Sequence, residues 1–246
     1  MEKHFEQERP FWFRAIKKLL VCRYKRPRFV FLGKEFDKSS IILSNHVGTD
    51  APLSLEMYCD KPIRFWGASE MNSGLVATYK YQSRIYFHQK KHWNLHLARL
   101  FCLIASPLTN LFYKGLRLIS TYHDARFLKT LNESLRAIRA GENIVIFPED
   151  SSDGYHDELK GFFLGFGMLC DFCRRAKIDV PIYVTYFRKR DLTYIVDAPI
   201  LYSELCAGGA TKEEIANRLL MRCNELGKLD VDALPPARKE SQVQCG

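Results

Sequence analysis

Ile41-Ile42-Leu43-Ser44-Asn45-His46-Val47-Gly48-Thr49-Asp50 predicts, in ten residues, a buried strand, a polar loop and the start of a helix. The apolar run Ile41 to Leu43 has the length and bulk of a short strand, and Ala51 to Tyr58 has helical character after it. A strand feeding a loop and then a helix is the repeating unit of an α/β domain. The same stretch carries candidate chemistry. His46 stands just past the strand end, with Asp50 four residues on. On a helix such positions share one face, and a carboxylate that holds an imidazole fixes its tautomer and lets it take a proton from an attacking hydroxyl. A capped helix start accounts for the same residues without catalysis, with Asn45 or Thr49 as the cap and Asp50 as a first-turn acid.

Working outward, strand patterns recur at Phe29 to Leu32, which with Ser40 to Leu43 brackets a turn, and at Pro62 to Gly67, Leu116 to Ser120, Asn143 to Phe147, Val180 to Phe187 and Leu192 to Val196. Between them, Phe127 or Leu128, Leu131, Leu135 and Ile138 recur at helical spacing up to Gly141. Phe162 to Lys177 and Thr211 to Leu226 also read as helices, and Thr211 with Glu214 has capping-box spacing. The alternation predicts an α/β fold: a mixed, largely parallel sheet flanked by helices, with an amphipathic N-terminal helix. The expected organisation is a basic amphipathic helix over residues 1–28, an α/β domain over 29–230 and a mobile tail over 231–246.

A hydrophobic content of 47% and 13% aromatics exclude a disordered chain. The net charge of +9 is concentrated: nine Lys or Arg and no acid lie between Arg9 and Lys34, and the rest of the chain balances. Trp12, Ile16, Leu19 and Leu20 follow helical spacing there, with Arg14, Lys17 and Lys18 on the other side. That pattern suits a helix lying in a membrane interface, with Trp12 at headgroup level and Arg14, Lys17 and Lys18 toward anionic lipid. Packing of the apolar face on the domain is the bland alternative. Nucleic acid is not an expected partner, because no binding motif accompanies the charge. A second acid-free stretch, Met71 to His123, holds seven Lys or Arg and four His. Its most apolar part, Leu97 to Tyr113, is short for a bilayer span and is interrupted by Arg99 and Pro107, so it reads as a buried or membrane-grazing hairpin. No signal peptide pattern opens the chain, and the scattered cysteines fit a reducing compartment, with Cys170 and Cys173 as core thiols.

The second chemical segment is Phe147-Pro148-Glu149-Asp150-Ser151-Ser152, delivered by the strand Asn143 to Phe147. Open α/β sheets place ligand crevices at such carboxyl ends. A solvated acidic turn is the alternative. Asn45-His46 with Asp50, Phe147-Pro148-Glu149, Lys160-Gly161-Phe162 and Val180-Pro181-Ile182 occur in an order that resembles the glycerolipid acyltransferase family, which includes 1-acylglycerol-3-phosphate acyltransferases. The resemblance runs from about residue 27 to 200. It departs in three places. The acid follows His46 by four residues and not five, which puts Ala51 at the usual aspartate position. Phe-Pro-Glu-Gly-Thr-Arg becomes Phe-Pro-Glu-Asp-Ser-Ser. The arginine expected near Thr121 or Tyr122 is missing, with Arg117 and Arg126 flanking.

The resemblance implies acyl transfer from a thioester, acyl-CoA or acyl-carrier protein, to a lysophospholipid or other lipid acceptor at the cytoplasmic face of a membrane. His46 would be the base and Asp50 its partner. Asn45, Phe147, Pro148, Glu149, Asp150, Ser151 and Arg117 would bind substrate, and backbone N–H groups at the helix start would hold the oxyanion. The last two departures fall where the family binds acceptor phosphate, and Asp150 beside Glu149 repels one further, so a phosphate acceptor is the weaker expectation. No metal or redox cofactor is implied. Two rivals stand beside this reading. One is a non-catalytic lipid-binding or scaffold protein on the same fold. The other is a hydrolase or metal enzyme using His88, His92 and His96, which would align on a helix, although no nucleophile-elbow pattern supports a hydrolase.

Overall fold

A computed structural model describes residues 9–150 and 154–233. It forms an α/β fold built on one mixed sheet. The strands are β1 (Arg28–Phe31), β2 (Ile41–Ser44), β3 (Ile63–Ala68), β4 (Ile119–Thr121), β5 (Asn143–Ile146), β6 (Pro181–Arg188), β7 (Thr193–Val196) and β8 (Ile200–Leu201). Their order is β1-β7-β6-β2-β5-β3-β4, with β8 on β6. The six pairings along that path are parallel except β6 with β7, and β8 also runs antiparallel to β6. β2 lies between β5 and β6 and all four of its residues are buried, which is why it reads as a continuous apolar run. β1 and β2 are not partners: β7 and β6 separate them, so the turn predicted between them is a longer excursion.

Alternation along the strands feeds two apolar layers. Ile41, Leu43, Ile144, Ile146, Ile182 and Val184 face one side. There they meet α6 (Phe127–Arg139), α7 (Gly165–Arg175) and α9 (Lys212–Lys228). Ile42, Val145, Tyr183, Phe187 and Val196 face the other, against α1 (Phe11–Arg23), α2 (Asp50–Tyr58) and the end of α5 (Leu95–Leu116). Leu131, Leu135 and Ile138 of α6 are buried as their spacing predicts. Of its first residues, Phe127 packs inward on Trp66 while Leu128 is exposed. Cys170 and Cys173 are core residues of α7. Thr211 and Glu214 make both bonds of the capping box that starts α9.

Several expectations are corrected. In α1 the deeply buried residue is Phe13, wedged against Phe112 and Gly115 of α5, while Leu19 points to solvent. Lys17 pairs with Glu56 of α2 at 3.4 Å, and Arg9 reaches Glu56 and the Gly115 carbonyl. Lys17 is therefore committed to the domain; Arg14 and Lys18 are exposed and Trp12 is half-buried. Leu97 to Tyr113 is no hairpin but part of the single 22-residue helix α5, which continues through Pro107. Before it come two short helices, α3 (Ser69–Asn72) and α4 (Leu75–Lys80), and a π-helix over Tyr81–Lys90. The tail begins packed, with Val231 in the core; residues 234–246 lie outside the described residues. A last short helix, α8 (Tyr202–Leu205), follows β8.

Candidate functional site

His46 and Phe147 follow the carboxyl ends of the adjacent parallel strands β2 and β5, so the sheet brings the two sequence segments together. Asn45 sets the loop. Its Oδ1 accepts from the Phe187 amide at 2.6 Å and its Nδ2 donates to the Phe187 carbonyl at 3.0 Å, clamping the end of β2 to β6. Both side-chain groups are consumed by backbone and the residue is 1% exposed. Asn45 is a brace and not the substrate-binding residue expected. Two residues beyond His46, Gly48 has φ +58°, a conformation that turns the chain into α2 and that glycine adopts without strain. At the start of α2 the Asp50 amide is taken by the Val47 carbonyl at 3.1 Å, and Pro52 has no amide to offer an oxyanion.

The imidazole of His46 contacts two aromatic rings. Phe147 is 4.7 Å away at 60°, and Tyr155 stacks on it at 5.1 Å and 19°. Lys90 and Lys91, from the end of the π-helix, sit over the Tyr155 ring at 5.4 and 5.6 Å. Nδ1 of His46 is buried with no hydrogen-bond partner among the described residues. Burial above all, then the charges of Lys90 and Lys91, pull its pKa down to about 4, against some help from backbone groups of His46 and Gly48. The ring is neutral at physiological pH.

Asp50 does not hold that ring. Its Oδ2 pairs with Lys189 Nζ at 2.7 Å, from the turn that joins β6 and β7. Nor does the next position supply a carboxylate: it is Ala51, buried in the second apolar layer with its carbonyl accepting from Tyr194 Oη at 2.6 Å. The expected His46–Asp50 pair is thus absent, since the one-residue shift sends the acid toward β6.

Glu149 does come to the site. Its backbone bridges Phe162, the Asp150 amide donates to the Gly161 carbonyl at 3.0 Å, and the Phe163 amide donates to the Pro148 carbonyl at 2.7 Å. Residues 161–163 thereby fix the Phe147-Pro148-Glu149 loop as a short ladder. Glu149 is buried, and its Oε1 lacks a hydrogen-bond partner among the described residues. Burial raises its pKa, opposed by the His46 amide, Lys90 and His156. Asp150 is exposed at the edge of the loop, and Ser151 lies outside the described residues.

Arg117 is elsewhere. It precedes β4 as Glu142 precedes β5, and the two side chains approach to 3.8 Å at the amino ends of the parallel strands, opposite His46. It is not part of this site. The histidine stripe is also dispersed: the π-helix ends at Lys90, His92 has φ +55°, and α5 starts at Leu95. No group of three metal-binding side chains gathers among the described residues. Two open clefts, of about 520 Å³ beside Asp179 and about 530 Å³ beside Arg136, are lined by neither His46 nor Glu149. Tyr155 was not singled out by sequence, whereas Lys90 and Lys91 belong to the acid-free basic stretch, whose cations are the expected partners of donor phosphates. The available cue was a lone aromatic, Tyr155, in an otherwise polar loop.

Searched against models of protein families and against curated proteins, the chain matches none.

Proposed function

We propose that this chain is a membrane-associated acyltransferase that moves a fatty acyl group from a thioester, acyl-CoA or acyl-carrier protein, to a hydroxyl or amine of a lipid acceptor on the cytoplasmic side. The observation that carries this reading is the convergence of His46 and Glu149 at the ends of adjacent parallel strands, with buried polar atoms on both that have no hydrogen-bond partner among the described residues. A neutral imidazole with an open nitrogen is the form that accepts a proton from an attacking hydroxyl. Lys90 and Lys91 stand close enough to attract donor phosphates toward the ring. Glu149 and Asp150 favour an acceptor headgroup rich in hydroxyls or bearing an amine over one bearing phosphate. Phe147 and Tyr155 pack on the imidazole, and Tyr155 must swing aside for the acceptor to meet His46. No cofactor enters this scheme.

A second reading, a lipid-binding protein without turnover, is favoured by one observation: Asp50 is committed to Lys189, which leaves His46 without a carboxylate to stabilise its protonated form. One experiment separates the two. Purified protein is mixed with acyl-CoA and lipid extract, and release of free thiol is followed with wild type and His46→Ala. Thiol release that falls ~10²–10⁴-fold in the variant supports catalysis by His46. Lipid binding without thiol release by the wild type supports the second reading.

A further inference from the structure

Helix α5 has two unlike faces. Ala98, Cys102, Ser106 and Asn110 form the buried one, and it is tied down: Ser106 Oγ donates to Gln82 at 2.7 Å and Asn110 Nδ2 donates to Thr78 Oγ1 at 3.1 Å. The opposite face carries large apolar side chains in water. Leu100 is 65% exposed, Ile104 77% and Leu108 68%, and Leu97 and Leu111 extend the stripe to about 21 Å. Soluble monomers rarely leave so continuous an apolar surface uncovered.

We infer that this face is the membrane-docking surface, and that its occupant is the headgroup–acyl boundary of an anionic bilayer. Charge complementarity selects that occupant. From Met71 to His123 there is no acid, and Arg84, Lys91 and Lys114 are exposed on the elements that carry or flank α5. A second copy of the chain would bring the same cations against themselves, whereas anionic headgroups neutralise them. By length and composition α5 is apolar enough to cross a membrane. Its hydrogen bonds to Gln82 and Thr78, on the helices beneath, instead hold it flat on the domain, as an interfacial helix lies.

The position also links docking to the candidate site. Phe101 of α5 contacts Phe87 at 5.1 Å and Trp93 at 5.5 Å, and the π-helix that holds Phe87 ends in Lys90 beside Tyr155. A bilayer under α5 therefore lies next to the cover of His46. This placement rests on the proposal of a lipid acceptor, but the docking itself does not require turnover.

The test is co-sedimentation of the full chain with vesicles of equal parts phosphatidylglycerol and phosphatidylcholine, and with phosphatidylcholine alone, without thioester. Binding should favour the anionic vesicles, and Ile104→Gln/Leu108→Gln should weaken it ~10-fold or more. Both side chains point to solvent, so the thermal transition should stay in place; Leu97→Gln/Leu100→Gln provides an independent pair. Wild-type binding by both pairs overturns the inference. So does a wild-type dimer in light scattering that the substitutions dissociate, because the occupant is then a second copy. Docking that depends on α5 in a protein that releases no thiol leaves this inference standing and removes only the enzyme.

Discussion

Lys189 Nζ lies 2.7 Å from Asp50 Oδ2, and this pair keeps the acid of the Asn45-His46 segment away from the imidazole. The side chains are 66% and 27% exposed, so the pair contributes at most ~1 kcal/mol to stability. Asp50→Asn and Lys189→Ala should therefore change the denaturation midpoint little and leave turnover within roughly threefold of wild type. Thiol-release kinetics check this. A loss approaching that of His46→Ala would mean that Asp50 leaves Lys189 and reaches the ring during the reaction.

His46 makes stability depend on pH with a definite sign. Its folded pKa is about 4, below the ordinary histidine value of 6.5. Between those values the unfolded chain binds the extra proton and the folded chain does not. The contribution is complete above the unfolded pKa and is lost as pH falls toward about 4, by ~3 kcal/mol at most. His46→Gln should flatten that acid limb. Glu149 acts in the opposite sense. Its folded pKa is raised, so its carboxyl costs stability as pH rises through that value, and Glu149→Gln should raise the midpoint at neutral pH. Urea midpoints of the three proteins across pH 4 to 7 measure both slopes.

Which parts of this were legible follows from the range of the forces involved. Ile41 to Leu43 and Ile144 to Ile146 announce central strands because burial on both faces demands apolar residues at every position. Thr211 with Glu214 announces a helix start because both bonds of the box are local. Sheet order is a different matter. Tyr186 and Ile195 meet across a local hairpin, but that β7 separates β1 from β6 depends on the pairing of Phe29 with Tyr194, distant in sequence. Asp50 turns to Lys189 for the same reason. In the site, the meeting of His46 with the Glu149 loop was readable from two strand ends. The stacking of Tyr155 on His46 was not, because a loop has no periodicity to point a side chain. Arg99 and Pro107 make Leu97 to Tyr113 read as an interrupted segment; that it is one helix, and which of its faces meets protein, depends on packing against Gln82 and Thr78.

Asn45 offers a test of the brace. Its side chain makes two bonds to the Phe187 backbone in a place water does not reach. Removing it leaves a buried donor and a buried acceptor unpaired, so Asn45→Ala should cost ~2–4 kcal/mol. Asn45→Asp keeps the acceptor but loses the donor, and places a charge against the Phe187 carbonyl, so it should be no better. Denaturant titration gives both values. If Asn45→Ala is as stable as wild type and only substrate affinity falls, Asn45 contacts the ligand and the brace is incidental.

Gly115 admits the ring of Phe13 where no side chain fits. A Cβ built at Gly115 would lie 1.9 Å from Phe13 Cδ2, closer than atoms approach. Gly115→Ala must push the ring out of its seat and should cost ~1–3 kcal/mol, since α5 is held on its other side by Gln82 and Thr78. Phe13→Ala empties the seat and should cost ~3–5 kcal/mol. The two changes are not independent, because the methyl introduced by Gly115→Ala occupies part of the space that the lost ring vacates. The double variant should be more stable than the sum of the single losses predicts, by a coupling of ~1 kcal/mol or more in a double-mutant cycle. Strict additivity would mean that α1 does not rest on α5 through this contact in solution.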